Sequence, residues 1–189
     1  MYYKVSLINK RLEFSGGINM EKNDSNNSME IALLGSHGGT ADTAIENINH
    51  QGFRVRAWSF PIKEHDAKKY LTKKPFVLYV SFMLSPQYYI AAGMRGRYIT
   101  HRLIIDDYRS KAGNSGMASP WPDLTKPEHR GQFQVKRQDT GKNFICKTWL
   151  LVSHIEELKE PKKLSDFVDL KTGNEPKFHL NAFNYVLVK

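Results

Sequence analysis

A single cysteine, Cys146, among 189 residues leaves nothing for a disulfide to join and excludes any zinc site built on several thiolates. No apolar stretch approaches the about 18–20 residues of a bilayer-spanning helix. The opening MYYKVSLINKRLEF lacks the apolar core of a secretory signal. The expectation is therefore an intracellular, cytoplasmic protein with no membrane partner. The seven histidines, at 37, 50, 65, 101, 129, 154 and 179, contain no H-x-x-x-H pair, so no metal site is expected. A G-x-S-x-G nucleophile turn is missing too. The Gly-rich GSHGGT at 35–40 has neither the Lys-Ser/Thr ending of a phosphate loop nor G-x-G-x-x-G spacing, and it is read as a turn. No cofactor is expected.

What the chain does have is aromatic content and positive charge. A hydrophobic fraction of 40% and an aromatic fraction of 12% suffice for the core of one domain. Lys and Arg number 28 against 19 Asp and Glu, a net charge of +9. A surplus of this size favours a polyanionic partner, because cationic side chains displace counterions from phosphates. A solvated lysine-rich surface without a ligand is the alternative. The basic residues are spread over 68–69, 73–74, 95–97, 102, 109–111, 130, 136–137 and 162–163, which points to a folded surface rather than a basic tail.

Residues 1–28 are expected to form an N-terminal arm and flexible linker, because SGGINMEKNDSNNS is rich in Asn, Ser, Gly and Asp. Residues 29–189 are expected to form one domain. IALL is followed by ADTAIENINH, which reads as a helix capped by Thr40 or Asp42 and ended at Gly52. FRVRAWS at 53–59 alternates Phe53, Val55 and Ala57 with Arg54, Arg56 and Trp58, the period of a half-buried strand. Pro61 is expected to open a second helix. FVLYVSF at 76–82, YYIAAGM at 88–94 and YITHRLIIDDY at 98–108 read as an antiparallel meander, since the connections are too short for crossovers. A long Gly/Ser/Pro loop over 109–131 holds Trp121 between two prolines. Strands follow at 131–137 and 143–158, then a helical turn at 163–167 and a C-terminal strand within 178–189. The fold class expected is α+β, with a small, partly open β-barrel of six or seven mostly antiparallel strands flanked by helices.

Pro122-Asp123 and Glu157-Leu158-Lys159 spell the Pro-Asp…Glu-x-Lys pattern of metal-dependent nucleases, but Asp123 lies in a proline-rich loop and the E-x-K falls where a strand should be ending. Cys146, flanked by Ile145 and Lys147 inside an apolar strand, reads as a core thiol rather than a nucleophile. Trp121 has two readings: a plug at the edge of the core, or a stacking wall for a planar ligand. Recognition of a base remains the better-supported chemistry, because stacking on an aromatic ring contributes about 1–3 kcal/mol. A base removed from its helix needs a slot with aromatic walls.

The order of these segments resembles the YTH/EVE group of the PUA-like superfamily. VSFMLSPQYYIAAGM (80–94) is similar to its FSVNxSGxFxGxAxM strand, Pro120-Trp121 to its tryptophan loop, and Gly131-Gln132-Phe133-Gln134-Val135 to its GxFxVxW strand. The resemblance covers roughly residues 53–160. It implies a non-enzymatic module that takes a modified base of DNA or RNA, such as a methylated one, into an aromatic pocket. In this sequence that pocket would comprise Trp58, Ser59, Phe60, Tyr88, Trp121 and Asp123, with Trp121 as one wall and Ser59 touching the base through its backbone. The second cage tryptophan of YTH readers has no counterpart near 71–73, so Trp58 or Tyr88 stands in for it. Lys63, Lys74, Arg95, Arg97 and Arg130 would hold the phosphates. Relatives of this kind serve modification-dependent restriction or defence, which implies a separate nuclease or motor subunit. The alternatives are a PUA-like module without modification specificity and a nuclease acting through Asp123, Glu157 and Lys159.

Overall fold

Strand β1 (Ile31–His37) is the hub of the fold, and it pairs in both directions. It runs parallel to β3 (Phe76–Phe82), in the register Leu33 to Leu78, and antiparallel to β9 (Asn184–Val188), in the register Leu33 to Tyr185. The computed structural model describes residues 30–37, 40–82, 98–131, 135–136, 143–177 and 182–189. The expected arm and linker over 1–28 lie outside these residues. So does the expected strand at 88–94.

The parallel β1–β3 pair demands a long connection, and the chain fills it with three elements. These are α1 (Ala41–Asn49), β2 (Val55–Trp58) and α2 (Glu64–Tyr70). Helix α1 starts where Thr40 Oγ1 accepts the Thr43 N–H at 3.4 Å, and Asp42 lies in its first turn, where the helix dipole favours an acid. It ends before Gly52, whose φ of +70° only glycine adopts at little cost. Helix α2 starts at Glu64 rather than at Pro61; residues 61–63 form the approach to it. Gly35, Ser36 and His37 lie inside β1 rather than in a turn.

From β3 the sheet continues through β4 (Ile99–Ser110), β7 (Thr148–Lys162) and the edge strand β2, all antiparallel. On the other side β9 pairs with β8 (Phe167–Asp169). Among the described residues the order β2-β7-β4-β3-β1-β9-β8 runs from edge to edge, so the expected barrel is replaced by an open seven-stranded sheet. Strands β5 (Val135–Lys136) and β6 (Asn143–Phe144) form a separate two-stranded ribbon. The α+β class holds.

Alternation along each strand sorts the core onto two faces. Leu33, Leu78, Val80, Leu103, Ile105, Leu150, Val152 and Tyr185 project to one face, where Ala41 and Ala44 of α1 and Ala67 of α2 cover them. On the opposite face, Ala32, Leu34, Tyr79, Phe167 and Val186 pack at one end of the sheet. Val55, Cys146 and Trp149 pack at the other, against Trp121 and Leu124 of the long loop. No helix among the described residues is long and apolar enough to cross a membrane.

Candidate nucleic-acid interface

The end of β4 meets the start of α2 at a hydroxyl network. Ile62 N–H donates to Ser110 Oγ at 2.7 Å and to Thr148 Oγ1 at 3.2 Å, while Thr148 Oγ1 donates to the Phe60 carbonyl at 2.8 Å. Lys147 N–H donates to the Trp58 carbonyl at 2.8 Å. These bonds pin residues 58–62 against β4 and β7 and leave a cleft of about 350 Å³ beside them. That volume lies at the lower end of ligand sites. The cleft is lined by Ile62, Ala67 and Leu71 on the helix side and by Tyr108, Arg109 and Ser110 on the strand side, with Glu64, Lys68 and Lys74 at its rim.

Its electrostatics are organised around Asp107. Lys74 Nζ donates to Asp107 Oδ1, and Arg109 Nη1 donates to Asp107 Oδ2 at 2.8 Å. Burial pushes the Asp107 carboxyl up, but the Lys74 hydrogen bond, the Tyr108 backbone and the charges of Lys74 and Arg109 outweigh it and hold it below its ordinary value. Lys68 pairs with Glu64 one helical turn back at 2.7 Å, on the open surface. The Lys74 ammonium also stands 5.5 Å from the Tyr108 ring centroid, and the Arg109 guanidinium lies 5.8 Å from that of Trp121. Both are within cation–π range.

Trp121 is half-buried. Its carbonyl accepts Thr125 Oγ1 at 2.6 Å and the Leu124 N–H at 3.1 Å, and its ring packs on the Val55, Cys146 and Trp149 cluster. It lies next to the cleft, joined to it by Arg109, rather than lining it.

The other residues expected at the pocket divide. Trp58 and Phe60 are core side chains, 3% and 6% exposed, and offer no ring face to a ligand. Trp58 donates its indole N–H to the Ser36 carbonyl at 3.0 Å and meets the His37 ring edge-on at 4.8 Å; Phe60 packs on Phe183 at 4.6 Å. The cause is β2's alternation: Val55 and Ala57 face Trp121, whereas Arg56 and Trp58 face α1 and the larger core. Trp58 and Trp121 thus lie on opposite faces of one strand. Ser59 is exposed after β2, Asp123 is exposed in a 3-10 turn (Pro122–Leu124), and Lys63 is exposed at the start of α2. Arg130, also exposed, donates to the Thr125 carbonyl at 3.1 Å and so braces the tryptophan loop. Tyr88, Arg95 and Arg97 lie outside the described residues. Of the expected phosphate ligands among the described residues, only Lys74 lines the cleft.

No family model, curated protein or solved structure matches the chain.

Sequence reasoning missed Tyr108, Asp107 and Arg109 as a unit. The signal was present in D-D-Y-R at 106–109, an acid and a cation two residues apart on one strand face beside an aromatic. The nuclease pattern fares differently. Glu157 and Lys159 sit within β7, which runs on to Lys162 rather than ending near Leu158. Cys146 lies in the break between β6 and β7 rather than in a strand, fully buried, and burial pushes its thiol up to about 12. No three His, Cys, Asp or Glu side chains converge on a common point among the described residues.

Proposed function

We propose that the chain is a nucleic-acid-binding module that holds one unstacked nucleotide where the cleft between α2 and β4 meets Trp121. The observation that carries this reading is Arg109: its guanidinium lies over the Trp121 indole while the same residue lines a cleft rimmed by Lys68 and Lys74. A base stacked on that indole would bring its phosphate to Arg109 and to Lys74, the two cations that share Asp107. The net charge of +9 supplies the long-range attraction. With Lys74 and Arg109 sharing one phosphate of a single strand and Lys68 meeting the next, the plot of log affinity against log salt should have a slope of about −1.4.

The resemblance to YTH/EVE modules supports a modified base as the preferred ligand, in a defence role where cleavage or translocation belongs to a separate subunit. The core positions of Trp58 and Phe60 favour the second reading, a module without modification specificity. Matched single strands carrying methylated and plain bases separate the two in a fluorescence-anisotropy titration. A preference of tenfold or more for the methylated strand supports the reader, and equal affinities support the plain module. The binding proposal itself fails when Trp121→Ala, correctly folded, binds both strands as tightly as the natural chain.

A further inference from the structure

We propose that Lys74 and Arg109 form an oxyanion site that Asp107 fills when no nucleic acid is bound, and that a phosphate diester enters it by displacing the Asp107 carboxylate. The inference rests on the nucleic-acid reading above and names the chemistry of its phosphate contact. Among the ion-paired carboxylates of the described residues, Asp107 alone holds two cations; Glu64, Asp66 and Glu156 hold one each. Both its oxygens are engaged, Oδ1 by Lys74 and Oδ2 by Arg109. A phosphate diester likewise presents two terminal oxygens on one atom, so the same pair of donors suits either ligand.

The geometry permits the exchange. Asp107 and Arg109 are two residues apart on β4, so they share a face, whereas Lys74 reaches in from the segment before β3. The Asp107 side chain is 22% exposed, but Lys74 and Arg109 are 49% and 57% exposed, so each cation can turn toward the cleft without crossing the core. Charge arithmetic favours an internal competitor as well. Lys68, Lys74 and Arg109 against Glu64 and Asp107 leave a net +1 at the cleft, and vacating Asp107's place exposes two cations at once.

The test is a titration of the full chain with a short oligothymidylate at about 50 mM salt, using the natural chain, Asp107→Asn, and Asp107→Asn combined with Lys74→Gln and Arg109→Gln. Asp166→Asn removes the same charge outside the cleft and serves as the control. Removing two exposed ion pairs from the competition should tighten binding about 3- to 30-fold in Asp107→Asn. The salt slope should steepen by up to about 1, because no carboxylate is left to recruit a cation when the phosphate enters. The gain should vanish in the triple variant and be absent in Asp166→Asn. Equal or weaker binding by a folded Asp107→Asn, or a gain that survives loss of Lys74 and Arg109, overturns the exchange. On the natural chain the Asp107 carboxyl carbon resonance should move when the oligonucleotide is added, and a resonance that stays still overturns it too. Should no variant bind the oligonucleotide at all, the nucleic-acid reading fails rather than the exchange alone.

Discussion

Acidification should destabilise this fold through His37, starting above the range where carboxylates titrate. His37 ends β1 with its ring 4.8 Å from Trp58 and 5.5 Å from Phe82. Burial first, and the Arg56 charge second, lower its pKa from 6.5 to about 4. The native state therefore keeps the ring neutral while the unfolded chain protonates it near its ordinary value. The contribution is fully present above pH 6.5 and is lost as the pH falls toward 4. Linkage gives a loss of about 2 kcal/mol between about pH 7 and about pH 5, and about 3 kcal/mol once the pH is below both values. With a urea slope of about 2 kcal/mol per molar, the midpoint should drop by about 1 M over that interval. His101 and His129 are also lowered, each by burial first, so they add losses of the same sign. The comparison that isolates His37 is His37→Gln, whose midpoint should change less over the same interval by about the His37 share. Parallel curves for the two proteins would refute the argument.

Other perturbations separate the core from the interface. Trp58→Ala should cost about 3–5 kcal/mol in denaturant unfolding, as a fully packed indole does. Trp121→Ala should instead show its main effect in binding, a loss of about 5- to 150-fold from one stacked base, with a smaller change in stability. Thr148→Val removes the hydroxyl that donates to Phe60 and accepts from Ile62, and should cost about 1–3 kcal/mol, read by urea unfolding. Cys146, fully buried with its thiol pushed up to about 12, should resist a disulfide reagent at about pH 8 in the native protein and react at once in denaturant.

Periodicity along the chain reports which face a residue takes, and it reports little about which strand lies beside it. That is why the apolar run of β3, the Thr40-capped helix and the three-residue 3-10 turn at Leu164–Asp166 were legible, whereas the open sheet was not. The parallel register of Leu33 with Leu78 joins residues far apart in the chain, and no local signal encodes it. Arg56 misled for a second reason. An arginine in an alternating strand reads as a solvent-facing residue, and Trp58, two positions on, inherits the same face. In the fold, Arg56 is 8% exposed and its guanidinium donates to the carbonyls of Phe53, Val55 and Ala44, at 3.1, 3.0 and 2.6 Å. Carbonyl oxygens satisfy most of the buried donors without a carboxylate, although Nε has no partner. That arrangement draws Trp58 inward with Arg56 and removes it from any cage. At the candidate interface, Trp121 and Lys74 were legible as a lone loop indole and a surface cation. Their connection through Asp107 and Arg109 was not, because it depends on a contact between residues 33 apart.

A basic chain that holds nucleic acid and one that cuts it make opposite demands on carboxylates. Cutting with a metal needs acidic groups gathered at one point to bind the cation. Here Glu157 and Lys159 are exposed on one face of β7, and Glu157 is cross-strand from His101, where its charge opposes the lowering of that histidine. Asp123 is exposed in a 3-10 turn that begins at the proline after Trp121. Holding a strand needs no such cluster; Asp107 is instead ion-paired with Lys74 and Arg109, the arrangement proposed above to yield to phosphate. The two roles divide on one experiment. Asp123→Ala and Glu157→Gln should leave oligonucleotide affinity within about twofold, since each removes one exposed charge screened by salt. Neither should alter strand integrity after prolonged incubation with magnesium or manganese. Divalent-dependent cleavage by the natural chain that disappears in Asp123→Ala would make the loop acid a metal ligand and reassign the basic surface to a substrate track.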